Sequence, residues 1–148
     1  MERTSTATDD EALAMLSQTR LAADDWRREL PVLSGSRVVL RGVCLSDARS
    51  LLAMFATDVV TRYTSTPARS VEGFEQFITL ANHHRMVGTG ACYVVTLKGD
   101  DTAIGLFQVR GIAVRTAEWD FALDSQLWGT GVFQEAAQLV LDFVFEVL

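Results

Sequence analysis

Residues 123–137 read LDSQLWGTGVFQEAA, placing Gly129 and Gly131 between an apolar strand-like run and a long apolar run. Beyond Gly131, the residues Gln134, Gln138, Asp142 and Glu146 recur at steps of four, so that run is a helix with one wet face. The glycines therefore occupy a strand-to-helix turn. Lacking a Cβ, they let the backbone bend tightly and let a ligand approach its N–H groups. Unpaired amides and the positive end of the helix dipole collect at the same point, which makes the turn a candidate site for a phosphate or diphosphate. A lone GxG fits an empty turn about as well. A P-loop needs Lys followed by Ser or Thr at the helix start, where Val132 and Phe133 stand instead. The dinucleotide fingerprint needs a second strand and an acid after the helix, and no such segment follows in these residues.

Working back from that turn, AEWDFAL (117–123), AIGLFQV (103–109) and ACYVVTLK (91–98) are three strand-like runs, the last two joined as a hairpin through GDDT. Before them Ser70 begins a pattern with Val71, Phe74, Phe77, Ile78 and Ala81 at helical spacing, ending at VGTG. Ser46 is read as the cap of a helix burying Ala48, Leu51, Leu52 and Phe55. SRVVLRGV (36–43) alternates Val38 and Leu40 against Arg37 and Arg41, the period of a half-buried strand. Strand, two helices, three strands and a helix predict an α/β fold: a mixed α+β sheet with antiparallel hairpins, covered by the helices. Upstream, Thr8 with Glu11 forms a capping box ahead of a helix that fades by Pro31. Residues 1–33 are thus expected to be a helical extension, and 34–148 the main domain.

Composition narrows the function. At 148 residues, 49% apolar and 22% charged, the chain is long enough for one domain with a sizeable core. Its net charge is -6 and no stretch concentrates Lys or Arg, so nucleic acid is not an expected ligand. Cys44 and Cys92 have no CxxC spacing and read as small buried hydrophobes in a reducing compartment. His83 and His84 are adjacent, which on a helix aims them ~100° apart, so no metal is expected. The amino terminus is acidic where a signal peptide is basic, and no run reaches the ~18 apolar residues of a membrane span. A cytoplasmic protein without a membrane partner is expected.

From Ser36 onward these features resemble the GNAT superfamily of N-acetyltransferases, in particular its ribosomal-protein N-terminal acetyltransferase branch. VVLRGVCLSDARSLLAMF reads like that branch's first strand and helix, and DVVTRYTSTP with SVEGFEQFI like the approach to its second helix. AEWDFALDSQLWGTGVFQEA lies beside the branch's A-E-x-G-Y-x-L-D-x-x-x-W-G-x-G-x-A-x-E-A. The resemblance implies transfer of an acetyl group from acetyl-CoA to a primary amine, on a small molecule or a protein N-terminus. It implies that backbone at Phe121, Ala122 and Leu123 meets the pantetheine arm, and that Trp128, Gly129, Thr130, Gly131, Val132 and Phe133 cradle the diphosphate. The family's Q/R-x-x-G-x-G/A pattern fits from Gln126 or from Trp128; the Trp128 register keeps the family's distances to strand and helix. Phe133 then stands where a small residue is usual, either crowding the cofactor or turning into the core. Asp120, in a glycine place, is a second departure.

An amine must lose a proton before it attacks the thioester, so a carboxylate near the acceptor is expected. Glu118 is the candidate base, on the strand face it shares with Asp120 and Ala122; its bland alternative is a solvated strand carboxylate. Arg62 and Tyr63 fall between the first two helices, where the family admits acceptors, although packing and surface roles suit them better. LVLDFVFEVL carries no helix-stop signal, so the fold is expected to be C-terminally incomplete, lacking the strands and the Ser or Tyr general acid that follow in the family. Self-association, or a complementing C-terminal segment, would follow from that. The alternative function is a non-catalytic acyl-CoA-binding or protein-interaction module on the same fold.

Overall fold

The computed structural model describes residues 26–57, 67–113 and 116–147. The Thr8-capped helix and the pair Arg62 and Tyr63 lie outside the described residues. Five strands form one sheet in the order β1 (Leu33–Ser34), β2 (Val38–Gly42), β3 (Gly90–Leu97), β4 (Asp100–Ala113) and β5 (Thr116–Leu123), every neighbouring pair antiparallel. Helices α1 (Ala48–Phe55) and α2 (Val71–Met86) lie between β2 and β3 in sequence, and α3 (Val132–Val147) follows β5.

Strand alternation divides the core into two layers. Val38, Leu40, Tyr93, Val95, Phe107, Val109 and Leu123 are buried with Val132, Ala136, Val140 and Phe143 of α3. Cys92, Val94, Leu106 and Ala122 are buried with Leu51 and Phe55 of α1 and Phe74 and Ile78 of α2. The run GACYVVTL is apolar but for Thr96, whose hydroxyl donates to the Val39 carbonyl at 2.8 Å, because β3 is buried on both faces. Tyr93 ties this layer to the amino-terminal residues: its ring meets Phe143 edge-on at 5.5 Å and its hydroxyl donates to the Pro31 carbonyl at 2.8 Å. Trp26 and Leu30 are buried in the same layer, so the described end of the expected extension packs onto the main domain.

Three local readings change. Ser46 does not cap α1; a 3-10 turn, Leu45–Asp47, leads into that helix, and the Asp47 carboxylate reaches back to the Cys44 N–H at 2.9 Å. Asp47 can do this while buried because the Arg41 guanidinium grips it through two hydrogen bonds of 2.8 and 2.9 Å. Burial alone would raise the Asp47 pKa, but the bonds from Arg41 and Cys44 outweigh it and hold the carboxyl below its usual range. Cys44 is exposed on that turn, whereas Cys92 is buried as expected and its thiol is pushed up to about 12 by burial. Between β3 and β4 the turn is only Lys98 and Gly99, with Gly99 at φ +86°, because Asp100 already pairs with Leu97. Ser70 caps α2 as read, its Oγ accepting from the Gly73 N–H at 2.9 Å.

Candidate functional site

β5 ends at Leu123, and the chain reaches α3 through a built turn. Asp124 accepts from the Gln126 N–H at 3.0 Å and opens a 3-10 turn, Ser125–Leu127. Trp128 then folds back, its indole Nε1–H donating to the Leu123 carbonyl at 2.9 Å. Gly129 and Gly131 have φ of +79° and +87°, the left-handed region that other residues enter at a cost. The Gly131 carbonyl accepts the first bond of α3, from the Glu135 N–H at 3.1 Å. The amides of Val132, Phe133 and Gln134 precede that bond and have no acceptor inside the helix. Val132 finds the Thr130 hydroxyl at 3.4 Å. The loop therefore gathers amides at the positive end of a 16-residue helix, an arrangement suited to an anionic group.

Arg37 and Glu135, neither of them singled out from the sequence, buttress this loop. The Glu135 carboxylate accepts from the Arg37 N–H (2.7 Å), the Val38 N–H (3.1 Å), the Arg37 Nε (3.1 Å) and the Ser36 hydroxyl (3.3 Å). Those bonds, led by the Arg37 amide, hold its pKa down to about 2. Arg37 Nη1 donates to the Thr130 carbonyl at 2.8 Å, and Nη2 lies 2.9 Å from where a Cβ on Gly131 would sit. The sequence signal was an acid in the first turn of α3, a position that also suits the helix dipole.

The outer edge of β5 meets the loop. The Asp124 N–H donates to the Ile104 carbonyl at 2.8 Å, and the antiparallel ladder repeats every second residue. Backbone groups of Ala122, Asp120 and Glu118 therefore turn toward β4, and those of Leu123, Phe121 and Trp119 turn away from it. Among the described residues no strand occupies that outer side. So Phe121 and Leu123 present backbone to the open edge, while Ala122 supplies a buried side chain to the α1–α2 layer. The Phe133 ring stacks 5.9 Å from Phe107 and is tilted 4.7 Å from Phe121, and both Phe133 and Phe121 remain exposed beside the loop.

On the other face of the sheet an open cleft of about 760 Å³ lies between α2 and β5, floored by Leu106, Gln108 and Ala122 and walled by Phe77, Leu80 and His84. Asp120 lines it and is ion-paired with Arg110 of β4. Glu118 stands on the same strand face, exposed and in register with Arg110, but does not line the cleft. The loop residues Trp128–Phe133 are thus brought together with Phe121 and Leu123, whereas Glu118 belongs to the opposite face. Among the described residues no group of three or more His, Cys, Asp and Glu side chains is placed to hold a metal ion, and no helix is long and apolar enough to cross a membrane.

Residues 37–148 match the family described as an acetyltransferase (GNAT) domain. A search of curated proteins gave no match. Among solved structures, the chain is similar to a ribosomal-protein-S5-alanine acetyltransferase from Vibrio fischeri, with a TM-score of 0.65, 19% identity, and 78% of this chain and 67% of that one covered. It is similar to RimJ of Mycobacterium smegmatis in complex with CoA-disulfide, with a TM-score of 0.64, 19% identity, and 74% and 57% covered. A Salmonella typhimurium acetyl transferase that modifies the N-terminal serine of ribosomal protein L7/L12 gives a TM-score of 0.62, 14% identity, and 77% and 68% covered. The chain therefore spans little more than half of the Mycobacterium protein and about two thirds of the other two. At these identities the likeness is one of fold.

Proposed function

This chain belongs to the GNAT acetyltransferase family, and on that premise we propose that it serves transfer of an acetyl group from acetyl-CoA to a primary amine. The observation that carries the reading is the loop: two left-handed glycines and the helix-start amides of Phe133 and Gln134 follow directly on β5, whose outer edge is open among the described residues. In this reading Trp128–Phe133 receive the diphosphate of acetyl-CoA, and the pantetheine amides pair along the open edge at Phe121 and at the Leu123 N–H, the Leu123 carbonyl being held by the Trp128 indole. The same open edge, with Trp119 and Phe121 exposed, is the surface on which self-association or a complementing segment would act.

The acceptor amine approaches through the cleft on the other face. Its nitrogen is nucleophilic only once deprotonated; it then bonds to the thioester carbonyl carbon, the C–S bond breaks and the CoA thiolate takes up a proton. Asp120 is engaged by Arg110, which leaves Glu118 as the described β5 carboxylate of this face outside an ion pair, and we assign it the proton. Outward N–H groups of β5 would polarise the carbonyl as charge develops on its oxygen. A neighbour that modifies the N-terminal serine of a ribosomal protein favours a protein N-terminus as acceptor. Incubation with acetyl-CoA and a panel of peptides and small amines, read by mass spectrometry, tests this. Acetylated peptide α-amines support it; stabilisation by acetyl-CoA with no acetylated amine supports the non-catalytic module instead.

A further inference from the structure

We propose that Arg37, oriented by Glu135, is a positioning residue that sets the direction of the Gly131 amide in the loop between β5 and α3; the role of that amide rests on the acyl-CoA reading above. Three elements meet at the Arg37 guanidinium. Nε is held by Glu135 of α3 at 3.1 Å, Nη1 donates to the Thr130 carbonyl at 2.8 Å, and Nη2 lies against the bare face of Gly131. The peptide between Thr130 and Gly131 is planar and trans, so its C=O and N–H point in opposite directions. Fixing the Thr130 carbonyl toward Arg37 turns the Gly131 N–H away from it, toward the side left open for an anion. Glu135 completes the unit from both ends: its carboxylate holds the start of β2, and its own N–H holds the Gly131 carbonyl.

The Arg37 charge is paired with Glu135, so its contribution is geometric rather than a long-range field. That distinction is testable, because lysine keeps the charge but lacks the fork that bridges a carboxylate and a carbonyl at once. The experiment compares wild type, Arg37→Met, Arg37→Lys and Glu135→Gln by calorimetric titration with CoA and by amide hydrogen exchange. Exchange in β3 serves as the check that each variant is folded. We expect Arg37→Met and Arg37→Lys each to weaken CoA binding about tenfold, with faster exchange confined to residues 128–133, and Glu135→Gln to shift both readouts in the same direction. Wild-type binding and loop exchange in Arg37→Lys would overturn the proposal, since charge alone would then suffice. Unchanged exchange in Arg37→Met would overturn it as well. If wild type fails to bind CoA while the variants still exchange faster in the loop, the acyl-CoA reading falls and the positioning of the loop by Arg37 stands.

Discussion

The indole of Trp128 donates to the carbonyl oxygen of Leu123 at 2.9 Å, closing the turn that joins β5 to α3. That carbonyl points off the open edge of the sheet, so the bond satisfies it and pins the start of the glycine loop to the end of the strand. Trp128→Phe keeps the bulk of the ring and removes the donor. It should lower stability by about 1 kcal/mol, read as a reduced midpoint in thermal or urea unfolding; an unchanged midpoint would mean the turn is held by other contacts.

Gly131 is constrained twice, by its φ of +87° and by Arg37 Nη2 at 2.9 Å from a Cβ position. Gly131→Val should cost about 1–2 kcal/mol in backbone strain, displace Arg37 and weaken CoA binding. Gln126→Ala should do far less, because Gln126 is exposed and its contact with Asp124 is through the backbone. Calorimetry on the two variants checks the order; the reverse order would favour the register that begins at Gln126.

Glu135 links stability to pH. Its pKa is about 2 in the folded chain against an ordinary 4.5, so the folded state binds this proton less readily than the unfolded state. The resulting stabilisation is fully present above the ordinary value and is lost as pH falls from about 4.5 toward about 2. Urea midpoints measured between about pH 6 and about pH 3 should fall less steeply for Glu135→Gln than for wild type. Parallel slopes would remove Glu135 from the acid-sensitive set.

Glu118→Gln keeps the shape of the side chain and abolishes its basicity. Acetyl transfer near neutral pH should drop by about 10²–10⁴-fold, while the affinity for acetyl-CoA stays almost unchanged, because Glu118 lies on the face opposite the loop. Steady-state rates at saturating acetyl-CoA, beside a binding titration, make the test, and an unaltered rate would assign the proton to another group.

Much of the fold was legible because its signals are local. The apolar run of β3, the Ser70 cap and the four-residue polar stripe of α3 each follow from periodicity or a single hydrogen bond between near neighbours. The glycine loop was legible for the same reason: Gly129 and Gly131 bracket the last turn before a helix. What escaped the sequence depends on long-range pairing. Arg37 and Glu135 lie at opposite ends of the domain in sequence, and only the packing of α3 beside β2 brings them together. Asp47 was missed as a cap because its carboxylate is set by Arg41 from another element. The ring contacts of Phe133 with Phe107 and Phe121 likewise needed the register of β4 with β5.

The central claim is that the loop at Trp128–Phe133 receives the diphosphate of an acyl-CoA, and titration with acetyl-CoA beside acetyl-pantetheine, which lacks the diphosphate and the nucleoside, tests it most directly. The account predicts a heat of binding for acetyl-CoA that is strongly reduced by Gly131→Val, and none measurable for acetyl-pantetheine at the same concentration. Equal binding of the two compounds, or no binding of acetyl-CoA at millimolar concentration, would contradict it.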